Sequence, residues 1–345
     1  MTDPHLSQLI RSIAGDKACE ELLGTLNIDR MFQLESLGAV SRSVFAMALD
    51  ALLFQDLLTR TPTGAAYVAD RRRQRERVVF DHAALRTVRF TGAGHAGGNG
   101  RLPAGSDAVA RILEPLGYEV TGTYPLDDLR MTGVGFTHRE FAETLPQFFV
   151  SELHVERFSR EFQTAAQRVF AASHDPLTTV ARTALAEFAE QGRCEMRLAV
   201  PALREIVSAF GRCHDMPSLA DYRILAAESP EAAWMATDGS SISHVSDRVL
   251  DVAMTACAQR SLGRPVKATI ETSAAGSVRL TSFKADPARR SFRADDGSQV
   301  EMTVPGSFYE FVSRDLVTGA DGKKRLDLRF ENAYVRALFK KTAAG

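Results

Sequence analysis

Two stretches of this chain run through the same order of elements, and that repetition leaves few folds open. In the first, residues 78–90 are rich in β-forming side chains, Ser106 stands where an N-cap would for the helix DAVARILEPLG, and YEVTGTY, LRMTGVGFTH and QFFVSELHV follow as three strands. In the second, SISHVSDRVL is strand-like, DVAMTACAQRSLG is helical and stops at Gly263, and VKATIETS, SVRLTSFKA and SFYEFVSRD supply three more strands. Each stretch reads β-α-β-β-β. A sheet with one apolar face must bury it against another layer, so the expected class is α+β, with two βαβββ modules, 76–155 and 239–345, forming a half-open sheet cup. Residues 1–75 are expected to be a helical cap, because LSQLIRSIAG, DKACEELLGTL and VFAMALDALLFQDLLTR repeat apolar residues at three- and four-residue steps. A helical insertion spans 156–238. In it PLTTVARTALAEFAEQG ends at Gly192, PALREIVSAFG is expected to start at Pro201 and end at Gly211, and Ser229 with Pro230 opens EAAWMATDG.

Composition removes several function classes. With 42 Lys+Arg against 43 Asp+Glu the net charge is −1, which lacks the basic excess of a phosphate-backbone binder, so no nucleic-acid partner is expected. No apolar run is long enough to span a bilayer, and MTDPHLSQLIRSIAG lacks the basic start and apolar middle of a secretory signal; the expected location is cytoplasmic, without membrane partners. Cys19, Cys194, Cys213 and Cys257 have no C-x-x-C spacing and read as reduced, structural thiols. Gly92, Gly94 and Gly97 spell G-x-G-x-x-G after a strand, but Gly98, Gly100 and Pro103 intervene before a helix can begin near Ser106, and Glu114 and Glu119 match the ribose-binding acid only loosely. A dinucleotide turn delivers pyrophosphate directly onto the next helix. These glycines therefore read as a connecting loop.

Paired modules of this kind direct side chains from their first and last strands into the cup. First strands offer His82 and His244; last strands offer Glu152, 70 residues after His82, and Glu310, 66 residues after His244. Two neutral imidazoles and one carboxylate on one face of a metal leave three positions open, the arrangement of non-haem Fe(II) oxygenases. If Glu152 joins as a fourth ligand, the site instead suits a glyoxalase-type lyase or isomerase. Arg86 shares the His82 strand face at roughly 13 Å along the strand, placed to hold a substrate carboxylate. Arg248, on the face of His244, and Arg279, Thr281, Ser282 and Lys284 in RLTSFKA are candidates for further substrate contacts. His138, His154, His174 and His214 are the remaining imidazoles weighed as ligands, while Trp234 and Tyr309 read as packing residues, Tyr309 directed away from the face of Glu310.

HDMPSLADYRILAAESPEAAWMATDGSSISHVSDRVLDV, VRLTSFKA and VPGSFYEFVSRD resemble the 2-oxoadipate dioxygenase/decarboxylase family, the hydroxyglutarate synthases, which is related to the vicinal oxygen chelate enzymes; the likeness covers roughly residues 75–340. The resemblance implies Fe(II) held by His82, His244 and Glu310, with Arg86 binding substrate. It also implies the reaction: a 2-oxo acid and O2 give CO2 and the 2-hydroxy acid one carbon shorter, 2-oxoadipate giving 2-hydroxyglutarate in lysine catabolism, with no separate 2-oxoglutarate consumed. The chain is shorter than the bacterial members best known for lysine degradation and its inserts are built differently, which ties the resemblance more to the metal than to the substrate.

Overall fold

A computed structural model describes residues 3–91, 99–319 and 321–331; Gly92, Gly94, Gly97 and Gly98 of the glycine loop lie outside the described residues. The chain opens with α1 (His5–Ala14), α2 (Asp16–Thr25), α3 (Arg30–Leu34), β1 (Val40–Ser41), α4 (Arg42–Arg60) and α5 (Pro62–Arg73). Ser41 starts α4 by accepting from Val44 N at 3.3 Å. This helix is apolar on nearly every face because α1, α9 and the sheet enclose it.

The first module is β2 (Phe80–Arg89), α6 (Asp107–Leu113), β3 (Tyr118–Leu126), β4 (Met131–His138) and β5 (Gln147–His154). The helical stretch holds α7 (Arg160–Phe170), α8 (Thr179–Gln191), a short β6 (Arg193–Cys194), α9 (Met196–Ala209), α10 (Leu219–Glu228) and α11 (Pro230–Asp238). Then come β7 (Ile242–Arg248), α12 (Val252–Ser261), β8 (Glu271–Thr272), β9 (Val278–Ser282), β10 (Pro287–Arg293), β11 (Gln299–Pro305), β12 (Phe308–Arg314), β13 (Leu316–Thr318) and β14 (Lys324–Leu326). Eight strands form one curled half-barrel sheet in the order β3-β4-β5-β2-β7-β12-β9-β8. In each half the first strand lies parallel to the last, β2 with β5 and β7 with β12, and the halves meet antiparallel between β2 and β7.

Three local expectations are corrected. The segment VKATIETS contributes only the two residues of β8, and the hairpin β10–β11 is an addition between the third and fourth strands of the second half. Helix α9 begins at Met196, so Pro201 sits inside it. The missing N–H costs one bond, to the carbonyl four residues back, and the helix continues because Ala199, Ala202, Leu203 and Ile206 bury one stripe. Ser106 makes no side-chain cap for α6; its backbone N–H is held by Glu152 instead, at 2.7 Å.

Alternation along the strands sorts the two faces of the sheet. Ala83, Leu85, Val245, Tyr309 and Phe311 pack with the N-terminal helices, α8 and α9 in one core, and Tyr309 lies against Tyr67 at 5.4 Å between ring centroids. Ala84, Val88, Phe149, Phe308 and Val312 pack with α7, α10 and α11 in a second core on the concave side. Among the described residues no helix is long and apolar enough to cross a membrane.

Candidate metal centre

The two histidines are aimed by a matched pair of strand irregularities. Along the β2–β7 ladder Phe80 pairs with Asp247 and His82 with Ser246, so Asp81 is an extra residue on β2; Ala84 pairs with His244 and Leu85 with Ile242, so Ser243 is an extra residue on β7. A bulge bends its strand and re-aims a side chain. Each extra residue directly precedes a histidine and supplies a partner for its Nδ1. His82 Nδ1 lies 3.0 Å from Asp81 Oδ2, and His244 Nδ1 lies 3.4 Å from Ser243 Oγ, which itself donates to the carbonyl of Ala84 at 3.0 Å. An ionised carboxylate can only accept, so His82 Nδ1 carries a proton, and the Ser243 oxygen leaves the same role to His244 Nδ1. Both rings therefore keep Nε2 for a third party.

That third party is shared with Glu310 of β12. His82 Nε2 lies 3.2 Å from Glu310 Oε1 and 3.0 Å from Ser246 Oγ, and Ser246 Oγ donates to Glu310 Oε1 at 2.5 Å. The imidazole centroids are 5.7 Å apart and nearly perpendicular, at 86°. One ligand atom from each of His82, His244 and Glu310 falls within 4.8 Å of the others, and all three residues are buried. Glu310 Oε2 has no hydrogen-bond partner. A buried carboxylate oxygen without a donor is costly, and a divalent cation among these atoms would satisfy it, so the residues present fit a metal ion.

The charges are arranged to suit. Burial pushes His244 down to about 3, with His82, Arg86 and Lys267 adding to the effect against Glu310, so this ring is neutral at physiological pH. Burial works against ionised Asp81, but Arg314, His82 and Arg248 outweigh it and hold the carboxyl well below its ordinary range. The same opposition lowers Glu310, where His82, His244 and Ser246 prevail over burial. His82 is raised despite burial because Asp81 and Glu310 flank it.

Arg248, expected to contact substrate, is spent elsewhere. It binds Asp81 Oδ1 at 2.7 Å and the carbonyl of Glu143 at 3.3 Å, because the bulge sets a buried carboxylate in its path. Arg314 closes the other side of Asp81 through Nε at 3.0 Å and Nη2 at 2.8 Å. Ser282 is the register partner of Glu310, is buried, and has an Oγ without a hydrogen-bond partner, which places a polar group beside the site. Lys284 is exposed. The cation that does approach is Lys267, whose Nζ lies 5.0 Å from the centroid of Phe308; nothing in the local pattern marked it. Arg279 pairs with Asp315 and Thr281 donates to the carbonyl of Thr269, so neither turns to the triad.

Glu152 lies outside the cluster of His82, His244 and Glu310. The register that equates His82 with His244 equates Ala84 with Ser246; Ser246 pairs with Glu310, whereas Ala84 pairs with Phe149. The matching position therefore holds a phenyl ring. Glu152 lies three residues on, opposite Thr87, and accepts from Arg89 Nη2 at 2.9 Å and Ser106 N at 2.7 Å. His138, His154 and His214 are engaged with Tyr118, Thr132 and the carbonyl of Ala236 respectively, and among the described residues the triad is the one cluster of three potential ligands.

Beside the triad lies a cavity of about 200 Å³ lined by Arg86, Trp234, Thr237 and Phe308 among others. Phe308 joins the two, stacking on the His244 ring at 4.5 Å and 18°. Arg86 is buried, pairs through Nε with Glu231, and sets its Cζ 4.8 Å above the Trp234 ring. Trp234, expected only to pack, is a wall of this cavity. Phe330 covers the other side of His82, with centroids 5.3 Å apart.

A curled sheet of two facing halves, with two imidazoles and one carboxylate converging at their junction beside a cavity, defines a protein of the glyoxalase-like structural class with a candidate metal site. The chain belongs to the 2-oxoadipate dioxygenase/decarboxylase family, whose model matches residues 59–341. No curated protein matches the chain. Among solved structures it is similar to a protein assigned to the glyoxalase superfamily from Ralstonia eutropha JMP134, with 41% identity over 96% of this chain and 99% of that one and a TM-score of 0.88. Two hydroxyglutarate synthases solved with 2-oxoadipate share the fold at 19% identity. The Oryza sativa structure has a TM-score of 0.65 over 89% of this chain and 96% of that one, and the Pseudomonas putida structure 0.60 over 83% and 67%.

Proposed function

We propose that this protein is an Fe(II)-dependent dioxygenase/decarboxylase that converts a 2-oxo acid and O2 into CO2 and the 2-hydroxy acid one carbon shorter. The observation that carries the reading is the pairing of the buried triad, with its unsatisfied Glu310 Oε2, and an adjoining cavity that contains a guanidinium. Membership of the family supports the reaction class, and 2-oxoadipate, giving 2-hydroxyglutarate, is the reference substrate.

His82, His244 and Glu310 would hold the metal on one face. Bound there, iron supplies the centre at which a 2-oxo acid chelates and O2 is activated. The other tasks fall to the chain. Asp81 and Ser243 fix the ring orientations of the ligands, which is how neighbouring hydrogen bonds tune a metal site. Phe308, Trp234 and Phe330 exclude water from the reacting carbon, and Arg86, held by Glu231 and Trp234, bounds the cavity in which the rest of the substrate lies. Ser246, between His82 and Glu310, keeps the carboxylate turned to the centre. In this reading the helical cap 1–75, the modules 76–155 and 239–345 and the insertion 156–238 are the functional divisions, and the reaction is cytoplasmic, where four free cysteines stay reduced.

The test is anaerobic loading with Fe(II) followed by O2-uptake and CO2-release measurements over a panel of 2-oxo acids that includes 2-oxoadipate. Equal O2 and CO2 with one substrate, lost in His82→Ala, is the expected result. Iron-loaded protein that consumes no O2 with any member of the panel refutes the proposal.

A further inference from the structure

We infer that the cavity beside the triad selects 2-oxo acids whose far end is uncharged, because the cation that would receive a second carboxylate is already matched by Glu231. The inference rests on the 2-oxo acid reading above. Glu231 is the second residue of α11, in the first turn begun by the Ser229 cap, and a negative side chain there is favoured by the helix end. Its carboxylate pairs with Arg86 Nε, and both side chains are nine-tenths buried or more, at 6% and 5% exposure. Trp234, one turn further along α11, takes one face of the guanidinium at 4.8 Å. Arg86 is thus bracketed by an anion and an aromatic face from a single helix.

Among the described residues that line the cavity Arg86 is the sole Lys or Arg. A second carboxylate brought to Arg86 would set two anions against one buried guanidinium, where like charges repel strongly. Much of the remaining wall is apolar, from Ala226, Pro230, Ala233, Ala285, Val304 and Pro305. An alkyl chain meets those side chains without disturbing the Arg86–Glu231 pair.

Two six-carbon acids separate the possibilities. 2-Oxohexanoate and 2-oxoadipate share the head group that would reach the metal and differ only in a methyl or a carboxylate at C6. Trp234 is the only tryptophan of the chain, so its fluorescence reports binding in the cavity directly. With the Fe(II)-loaded protein under argon, 2-oxohexanoate should bind at least tenfold more tightly than 2-oxoadipate. Glu231→Gln, which keeps the shape and removes the charge, should move that ratio at least tenfold toward 2-oxoadipate; a purely structural role for Glu231 would weaken both acids alike. Equal or tighter binding of 2-oxoadipate by the unmodified protein, no binding of either acid, or an unmoved ratio in Glu231→Gln each overturns the inference. If Glu231→Gln does not fold, the ratio in the unmodified protein decides. Parallel O2 uptake keeps the two readings apart, since selective binding of 2-oxohexanoate without O2 consumption defeats the dioxygenase reading and leaves the selectivity standing.

Discussion

Asp81→Asn is the perturbation that most directly probes how this centre is held. The substitution preserves volume and removes the one negative charge that Arg314, Arg248 and His82 share at 2.8, 2.7 and 3.0 Å. The Arg314 side chain is 1% exposed and retains its bond to the carbonyl of Asp327 at 2.7 Å, but it loses its counter-ion. Breaking a buried pair from one side costs about 3–5 kcal/mol, a large share of the roughly 5–15 kcal/mol that holds a folded domain. Removing the carboxylate behind a ligating histidine should separately lower metal affinity by about 10–100-fold. Urea unfolding of the metal-free protein reads the first effect, and calorimetric titration with Fe(II) under argon reads the second. The double variant Asp81→Asn/Arg314→Met divides them: an apolar replacement for the pair should recover most of the stability and none of the affinity. If Asp81→Asn lost less than about 1 kcal/mol and bound metal within about twofold of the unmodified protein, Asp81 would be incidental and the positioning argument would fail.

Further expectations follow from single contacts. Glu310→Gln removes the one anionic ligand, so the protein purified from iron-supplemented cells should carry far less metal by elemental analysis; unchanged loading would mean the metal sits elsewhere. Glu152→Ala should leave metal loading intact while costing about 1–2 kcal/mol through the lost hold on the start of α6, and metal loss equal to that of His82→Ala would restore the four-ligand lyase reading. His138 and His214 are held by burial at about 4, below the free value of 6.5, so both stay neutral at pH 7. Their contribution to stability is complete above pH 6.5 and is lost as pH falls toward about 4, on the order of 3 kcal/mol each. Ring-proton NMR shifts moving at pH 6.5 would contradict this.

The readable part of the fold was the part governed by short periods. Alternation along FYEFV was enough to put Glu310 and Tyr309 on opposite faces, and the recurrent β-α-β-β-β order brought His82 and His244 to one seam, because side-chain direction in a strand depends on parity alone. Start and stop residues such as Ser229 and Gly192 were legible for the same reason, since a cap satisfies backbone groups within one turn. What could not be read were matters of partnership. The extra residues Asp81 and Ser243 exist only relative to the opposite strand, and the true counterpart of Glu310 was Phe149 rather than the attractive carboxylate of Glu152, three residues away. Arg248 turned to Asp81, Lys267 came up beside Phe308, and Glu231 reached Arg86 across 144 intervening positions. A strand carries its own parity, but register and buried charge pairing are settled by the free energy of the whole packed molecule, in which a distant segment can supply the group a local pattern never mentions.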